Sequence, residues 1–312
     1  MSVAALVAPA CSGSGNRGSP TVDSPSSTPP TPTASDADTD IRLLTNAIAA
    51  EEELLNFCTA ASRRYPAKRS LLTDVIAFQH QHVRRFRGSL TNLEPPVTRT
   101  SRPLPHRSGE LPSELAAAER AAADHRSADC LAATSGLLAE LFGSVAASHA
   151  VTAQALVPGP IGNPVPPSGP LAGVGALEPC LLAEYAAVFG YGVLGGVLSA
   201  GVSDRPAASA AVSSYDVHRD RRDALVALIT AAGVQPPAAA AAYDIPFPVT
   251  GLPSARRLAR YIEGRCAAIY VRAIGSTTGQ ARRLVSSTLV DCAVRGVSWG
   301  AAPEAFPGLG SE

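Results

Sequence analysis

Lysine is almost missing from this chain: Lys68 is the only one among 312 residues, and arginine carries nearly all the positive charge. Together with abundant alanine this reads as coding bias rather than function. Charged residues are scarce at 17%, and Lys+Arg and Asp+Glu balance at 26 each. With no net field to attract a polyanion, no nucleic-acid partner is expected. No run of about 18 apolar residues is free of Gly, Pro and charge, so no membrane-spanning helix is expected either. A Gly-x-Ser-x-Gly elbow, a phosphate loop, a Rossmann fingerprint and His-Glu-x-x-His are all absent, which removes the common hydrolase and nucleotide chemistries. The length leaves room for two domains with real cores.

What is present begins with a short apolar stretch, Met1 to Ala10, ending Ala8-Pro9-Ala10-Cys11. It resembles the end of a lipoprotein signal peptide, in which Cys11 would become the lipidated first residue of an exported protein. A basic n-region is missing and the stretch is short for a full signal, so this expectation implies an upstream start. The alternative is a disordered terminus that happens to contain a cysteine. Ser12 to Asp40 is dominated by Ser, Pro, Thr, Gly and Asp, cannot form a core, and is expected to be a flexible tether. Residues 1–40 are thus read as signal remnant plus linker. The membrane would be a partner through the lipid alone, at the outer face of the cytoplasmic membrane.

Beyond the tether, apolar residues recur at helical spacing. Leu44, Ala47, Glu51, Leu54, Cys58 and Ala61 alternate steps of four and three, with one carboxylate in the middle of the stripe. Pro66 then opens a helix with the face Leu72, Ile76, Val83, Phe86 and Leu90, flanked by His80 and Arg84. The pattern returns later. Leu177, Leu181, Glu184, Val188, Tyr191, Gly195 and Leu198 form one stripe, and Tyr215, His218, Arg222, Leu225 and Ile229 form the next. A Glu on one helix followed by His-x-x-x-Arg on the next therefore occurs twice, as Glu51 with His80 and Arg84, and as Glu184 with His218 and Arg222. A Glu centred in an apolar stripe needs such partners, because an isolated buried charge is costly.

Two further helices complete each half. Residues 112–134 and 136–156 follow a loop rich in Pro, Arg and Ser, and residues 254–274 and about 279–299 follow the Pro-rich segment 235–248. Six prolines between Val157 and Gly175 mark a boundary. The expected fold is all-α: two tandem four-helix bundles, over 41–157 and 175–300, behind a disordered tether.

In the second half, the run from Leu182 to Gly192 (LAEYAAVFGYG), the run His218-Arg219-Asp220-Arg221-Arg222-Asp223, and Ala242-Tyr243-Asp244-Ile245-Pro246 resemble an uncharacterised actinobacterial ferritin-like family, a domain of unknown function often found in predicted lipoproteins. The resemblance covers about residues 175 to 300 and implies a four-helix bundle without an established activity. The first half resembles the wider ferritin-like fold through its Glu and His placement alone.

Di-iron proteins of that fold draw Glu from two helices and Glu-x-x-His from the other two. Here Tyr215, Ala77 and Ala146 stand three residues before His218, His80 and His149, so the ligand set is incomplete. A guanidinium such as that of Arg222 would also oppose a cation. A structural Glu-His-Arg cluster with no cofactor is therefore expected; the alternatives are a di-iron centre and a mononuclear or adventitious metal site, with Glu184 and His218 as the ligands if iron binds. In the first half Glu51, Glu52, His80, His82, Glu119, Glu140 and His149 supply ligand types but no diagnostic spacing, and are read as solvated or core-satisfied. His106 and His125 are assigned to the surface. Arg219, Arg221, Arg222, Arg256, Arg257, Arg260, Arg282 and Arg283 interleave with Asp216, Asp220, Asp223 and Glu263, which reads as a salt-bridged surface. No residue is read as catalytic. Two functions stay open: a non-enzymatic, surface-tethered helical protein, and an iron-storing or redox member of the fold.

Export would oxidise paired thiols. Cys180 and Cys292 are expected at neighbouring ends of one bundle, and Cys58 with Cys130 is a second candidate disulfide. Cys266 is left as a buried thiol.

Overall fold

The computed structural model describes residues 34–90, 102–159, 173–201 and 204–310. Among them the chain is helical with no strand: α1 (Ala34–Arg64), α2 (Arg69–Ser89), α3 (Leu111–Ala132), α4 (Gly136–Leu156), α5 (Glu178–Gly201), α6 (Arg205–Ala231), α7 (Leu252–Gly275) and α8 (Gly279–Ser298). Prolines stand in the first turns of α3, α6 and α7, where a missing N–H costs nothing. The side chain of Asp204 accepts the amide of Ala207 at 3.1 Å to start α6, and Gly233, at a φ of 76°, ends it.

Helix α1 begins at Ala34, earlier than the expected end of the tether at Asp40. The tertiary contact that holds this extra turn is Asp40 itself. Its carboxylate accepts the amides of Thr134 and Ser135, both at 2.8 Å, so the start of α1 ties down the turn into α4.

Helix α1 packs on α2, α3 on α4, α5 on α6 and α7, and α7 on α8, while α4 also packs on α7 and α8. The two sets of four helices are consequently not separate bodies. Thr33–Glu312 form one compact unit, and the main core runs through both sets: Ile48, Phe86, Phe142 and Val145 belong to the same buried cluster as Leu181, Leu194, Tyr270 and Leu289. A smaller core of Leu54, Phe57, Leu72, Leu111 and Leu115 fills the far end of the first set. The boundary expected at 157–175 separates two helix sets but not two cores.

Close approach of α4 to α7 depends on glycine. A Cβ at Gly136 would stand 2.4 Å from the carbonyl oxygen of Gly275. Arg282, expected on the surface, is instead 3% exposed at the start of α8. It donates to the carbonyls of Ala133 at 2.5 Å and Cys130 at 3.3 Å, satisfying the C-terminal end of α3.

Two stretches, Gly136–Leu156 and Val174–Ala200, are long and apolar enough to cross a membrane by length and composition. The first is 78% buried inside the protein, as a core helix is. The second is 39% buried and carries Glu184 on its inner face, fully enclosed. After α8 the chain folds back as a C-terminal strap over the first helix set. There the hydroxyls of Ser148 and Ser144 donate to the carbonyls of Glu304 and Pro307, each at 2.9 Å.

Candidate functional site: two buried carboxylate–imidazole clusters

Each helix set holds a polar cluster in its core. In the second set, the stripe Leu177, Leu181, Glu184, Tyr191 and Leu198 faces inward, which places Glu184 at zero exposure. Its Oε2 lies 2.6 Å from Nδ1 of His218 on α6, and its Oε1 accepts the phenol of Tyr270 on α7 at 2.6 Å. The other ring nitrogen of His218 lies 3.3 Å from Oε1 of Glu263, to which Tyr191 also donates at 2.6 Å. One imidazole is thus clamped between two carboxylates, and each carboxylate is held by a tyrosine. Burial alone would depress the His218 pKa, but Glu184 and Glu263 overcome it and raise it to about 10. Burial pushes Glu263 upward and the facing imidazolium more than reverses this, so Glu263 lies below the usual carboxylate range.

In the first set, Glu51 on α1 meets two histidines. Nδ1 of His82 on α2 lies 3.3 Å from its Oε2, and Nε2 of His149 on α4 lies 3.1 Å from its Oε1. Outward of these, Nδ1 of His149 is 2.6 Å from Glu119 on α3, and Nε2 of His82 is 2.8 Å from the carbonyl of Ala305 in the strap. Arg126 donates to Glu51 at 3.3 Å and pairs with Asp129 at 2.6 Å. The His149 pKa, which burial would lower, is raised to about 10 by Glu51 and Glu119. Burial would lift Glu51, but His149 and His82 hold it far below its ordinary value.

The two clusters share a plan: a Glu on the first helix, a His on the second and a Glu on the third. Seven residues past the third-helix Glu, Arg126 in one set and Tyr270 in the other bond the first-helix Glu.

Glu51, Glu184 and His218 therefore lie in the clusters, but three other expected members do not. His80 and Arg84 are exposed on α2, and His82 takes the inner position. Val75, Gln79, His82 and Phe86 form a stripe stepping 4-3-4, a register hidden by its two polar members. Arg222 is half-buried and pairs with Asp223 at 2.7 Å, while Arg221 is the buried one, bonded to Asp291 and 3.4 Å from the sulfur of Cys292. Steps of three and four from His218 both fit a helix, and Asp291 on α8, which Arg295 also contacts at 2.7 Å, decides between them. Glu263, expected on the surface, is at the centre of the second cluster; Tyr270 in that cluster, and Arg126 and Gln79 in the first, where Gln79 donates to Glu119 at 3.5 Å, were not expected. The seven-residue step from each third-helix Glu was the available signal for Arg126 and Tyr270. Of the remaining first-set acids, Glu52 pairs with Arg87 and Glu140 lies against Gly275. His106 and His125 are exposed.

The expected disulfides are corrected. Cys58, Cys130, Cys180, Cys266 and Cys292 are all buried free thiols. Burial pushes the pKa of Cys58 and Cys180 strongly upward and that of Cys130 to about 12, so they are inert small core residues. Inside the second set, Cys292 interacts with Cys266 rather than bridging to Cys180. Cys11 lies outside the described residues.

Ligand atoms of Glu51, His82 and His149 all lie within 4.8 Å of one another, and so do those of Glu184, His218 and Cys266. Residues 176–311 match the model of a domain of unknown function, DUF4439. The DUF4439 region thus contains the whole second cluster and also the strap that reaches His82. A solved structure of a conserved hypothetical protein, rv2844, from Mycobacterium tuberculosis is similar to part of the chain, at 30% identity, covering 41% of this chain and 87% of that one with a TM-score of 0.37. No curated protein matches the chain.

Proposed function

We propose that this chain is a non-enzymatic helical protein of the ferritin-like class, built as two four-helix bundles and held at the outer face of the cytoplasmic membrane by a lipid on Cys11. Its work is then to present a rigid helical body for interaction or envelope structure. The observation that carries the non-enzymatic reading is closure. Glu51, Glu119, His82, His149, Glu184, His218 and Glu263 are each at most 1% exposed, and every imidazole nitrogen among them has a protein partner. A general acid or base must reach the atom it serves, and these cannot.

The di-iron centre that the ferritin-like fold implies does not fit these residues. The second cluster has one imidazole, and its fourth helix supplies Asp291, which is engaged by Arg221 and Arg295. In the first cluster the Arg126 guanidinium occupies the side of Glu51 that a bridging carboxylate would turn to a second iron. Two measurements test the reading. Oxidation of ferrous ion by oxygen is expected to run no faster with the protein than in buffer, and Cys11→Ser is expected to move the exported protein from the membrane to the soluble fraction. Accelerated oxidation would return the redox reading, and unchanged fractionation would remove the anchor.

A further inference from the structure

Two imidazole nitrogens converge on the Glu51 carboxylate, each on a ring held from behind. The Ala305 carbonyl can only accept, so Nε2 of His82 carries the hydrogen of their 2.8 Å bond. Nδ1 of the same ring faces Glu51 Oε2, 3.3 Å away. Glu119 likewise accepts from Nδ1 of His149 at 2.6 Å, and Nε2 of that ring, which bears a proton in the metal-free protein, faces Glu51 Oε1 at 3.1 Å. Two ring nitrogens converging on one carboxylate call for positive charge between them, and a metal ion that displaces the ring proton supplies it as the proton did.

We propose that Glu51, Nδ1 of His82 and Nε2 of His149 form a binding site for a single first-row divalent transition-metal cation of the zinc class. The three ligand atoms come from three helices, lie within 4.8 Å of one another and are buried. Two imidazoles with one carboxylate suit such a cation better than magnesium or calcium, which prefer all-oxygen shells. Both histidines are held from behind, one by a carboxylate and one by a backbone carbonyl, the arrangement that fixes ring orientation at metal sites. Arg126 opposes the cation, and its pairing with Asp129 at 2.6 Å offsets part of that charge. The strap is the cover: it rests on Ser144, Ser148 and His82. The triad of Glu184, His218 and Cys266 has one imidazole only, and Tyr270 already occupies Glu184, so it serves as the internal control.

The test uses the purified full chain, stripped with a chelator and titrated with Co(II), read by visible d–d absorption and then displaced with Zn(II). One Co(II) per chain is expected. His149→Ala is expected to abolish the bands, Glu119→Gln to weaken binding about 10- to 100-fold by loosening the ring behind it, and Glu184→Gln to leave binding unchanged. X-ray absorption of the Zn(II)-loaded wild type, which needs no variant to fold, is expected to show two imidazole nitrogens and no sulfur. Absence of Co(II) binding, bands unaltered in folded His149→Ala, loss in Glu184→Gln alone, or a sulfur ligand would each overturn the site.

Discussion

His218 sits between Glu184 and Glu263, with the phenols of Tyr191 and Tyr270 bonded to those carboxylates and Arg221, paired with Asp291, acting electrostatically on both carboxylates. Its pKa of about 10 in the folded chain lies above the ordinary imidazole value near 6.5. Folding therefore binds a proton at this ring, and the stabilisation is complete below about pH 6.5 and lost as pH rises toward 10. His149, raised in the same way, adds to the same trend. The thermal midpoint is expected to fall steadily between pH 7 and 10. Replacing Glu184 by Ala is expected to strand the imidazolium, costing roughly 3 to 5 kcal/mol at neutral pH and flattening that slope. A wild-type midpoint level across this range, in a calorimetric pH series, would contradict the assignment.

Between helices, the seam of α4 with α7 is set by backbone rather than by side chains. Gly136 opens α4 directly against the end of α7, where a Cβ would lie 2.4 Å from the Gly275 oxygen. A carbonyl in a helix terminus cannot swing aside as a long side chain can. Gly136→Ala is accordingly expected to cost about 1 to 3 kcal/mol, the range for overpacking a filled interior, although alanine is the better helix former. Chemical denaturation of the variant checks this, and a stability at or above wild type would show that the helices simply move apart.

At the scale of the molecule, the shared core makes the two helix sets one folding unit. Trp299, the only tryptophan, packs beside Tyr191 in the second set, with ring centroids 6.3 Å apart, whereas helical circular dichroism reports on both sets. Because α4 lies against α7 and α8, and Arg282 and the strap cross from one set to the other, both signals are expected to trace one coincident denaturation curve. A tryptophan transition separated from the helical one would mean that the sets unfold independently.

Periodicity in the sequence determined the helices and most of their inner faces, because a stripe at steps of three and four buries itself wherever it finds a partner. It placed the ends of α4 correctly, since Gly136 after a Ser-containing turn and the prolines beyond Leu156 are local signals. It also picked out Glu51, Glu184 and His218, each a polar residue on a continuous apolar stripe. Tertiary structure decided the remainder. Whether His80 or His82, Arg222 or Arg221, turned inward depended on acceptors from other helices, Glu51 and Asp291, more than 30 residues away in sequence. Glu263 looked like one of several surface acids among arginines until His218 and Tyr191 were brought against it. The first turn of α1 has tether-like composition and is held by the α3–α4 turn that its Asp40 meets. The strap carries no periodic signal, because its bonds to Ser144, Ser148 and His82 are made by backbone carbonyls, which are the same in every sequence. A stripe is a property of one helix and can be read along the chain, whereas a charge partner is a property of the space between helices and exists only once they have packed.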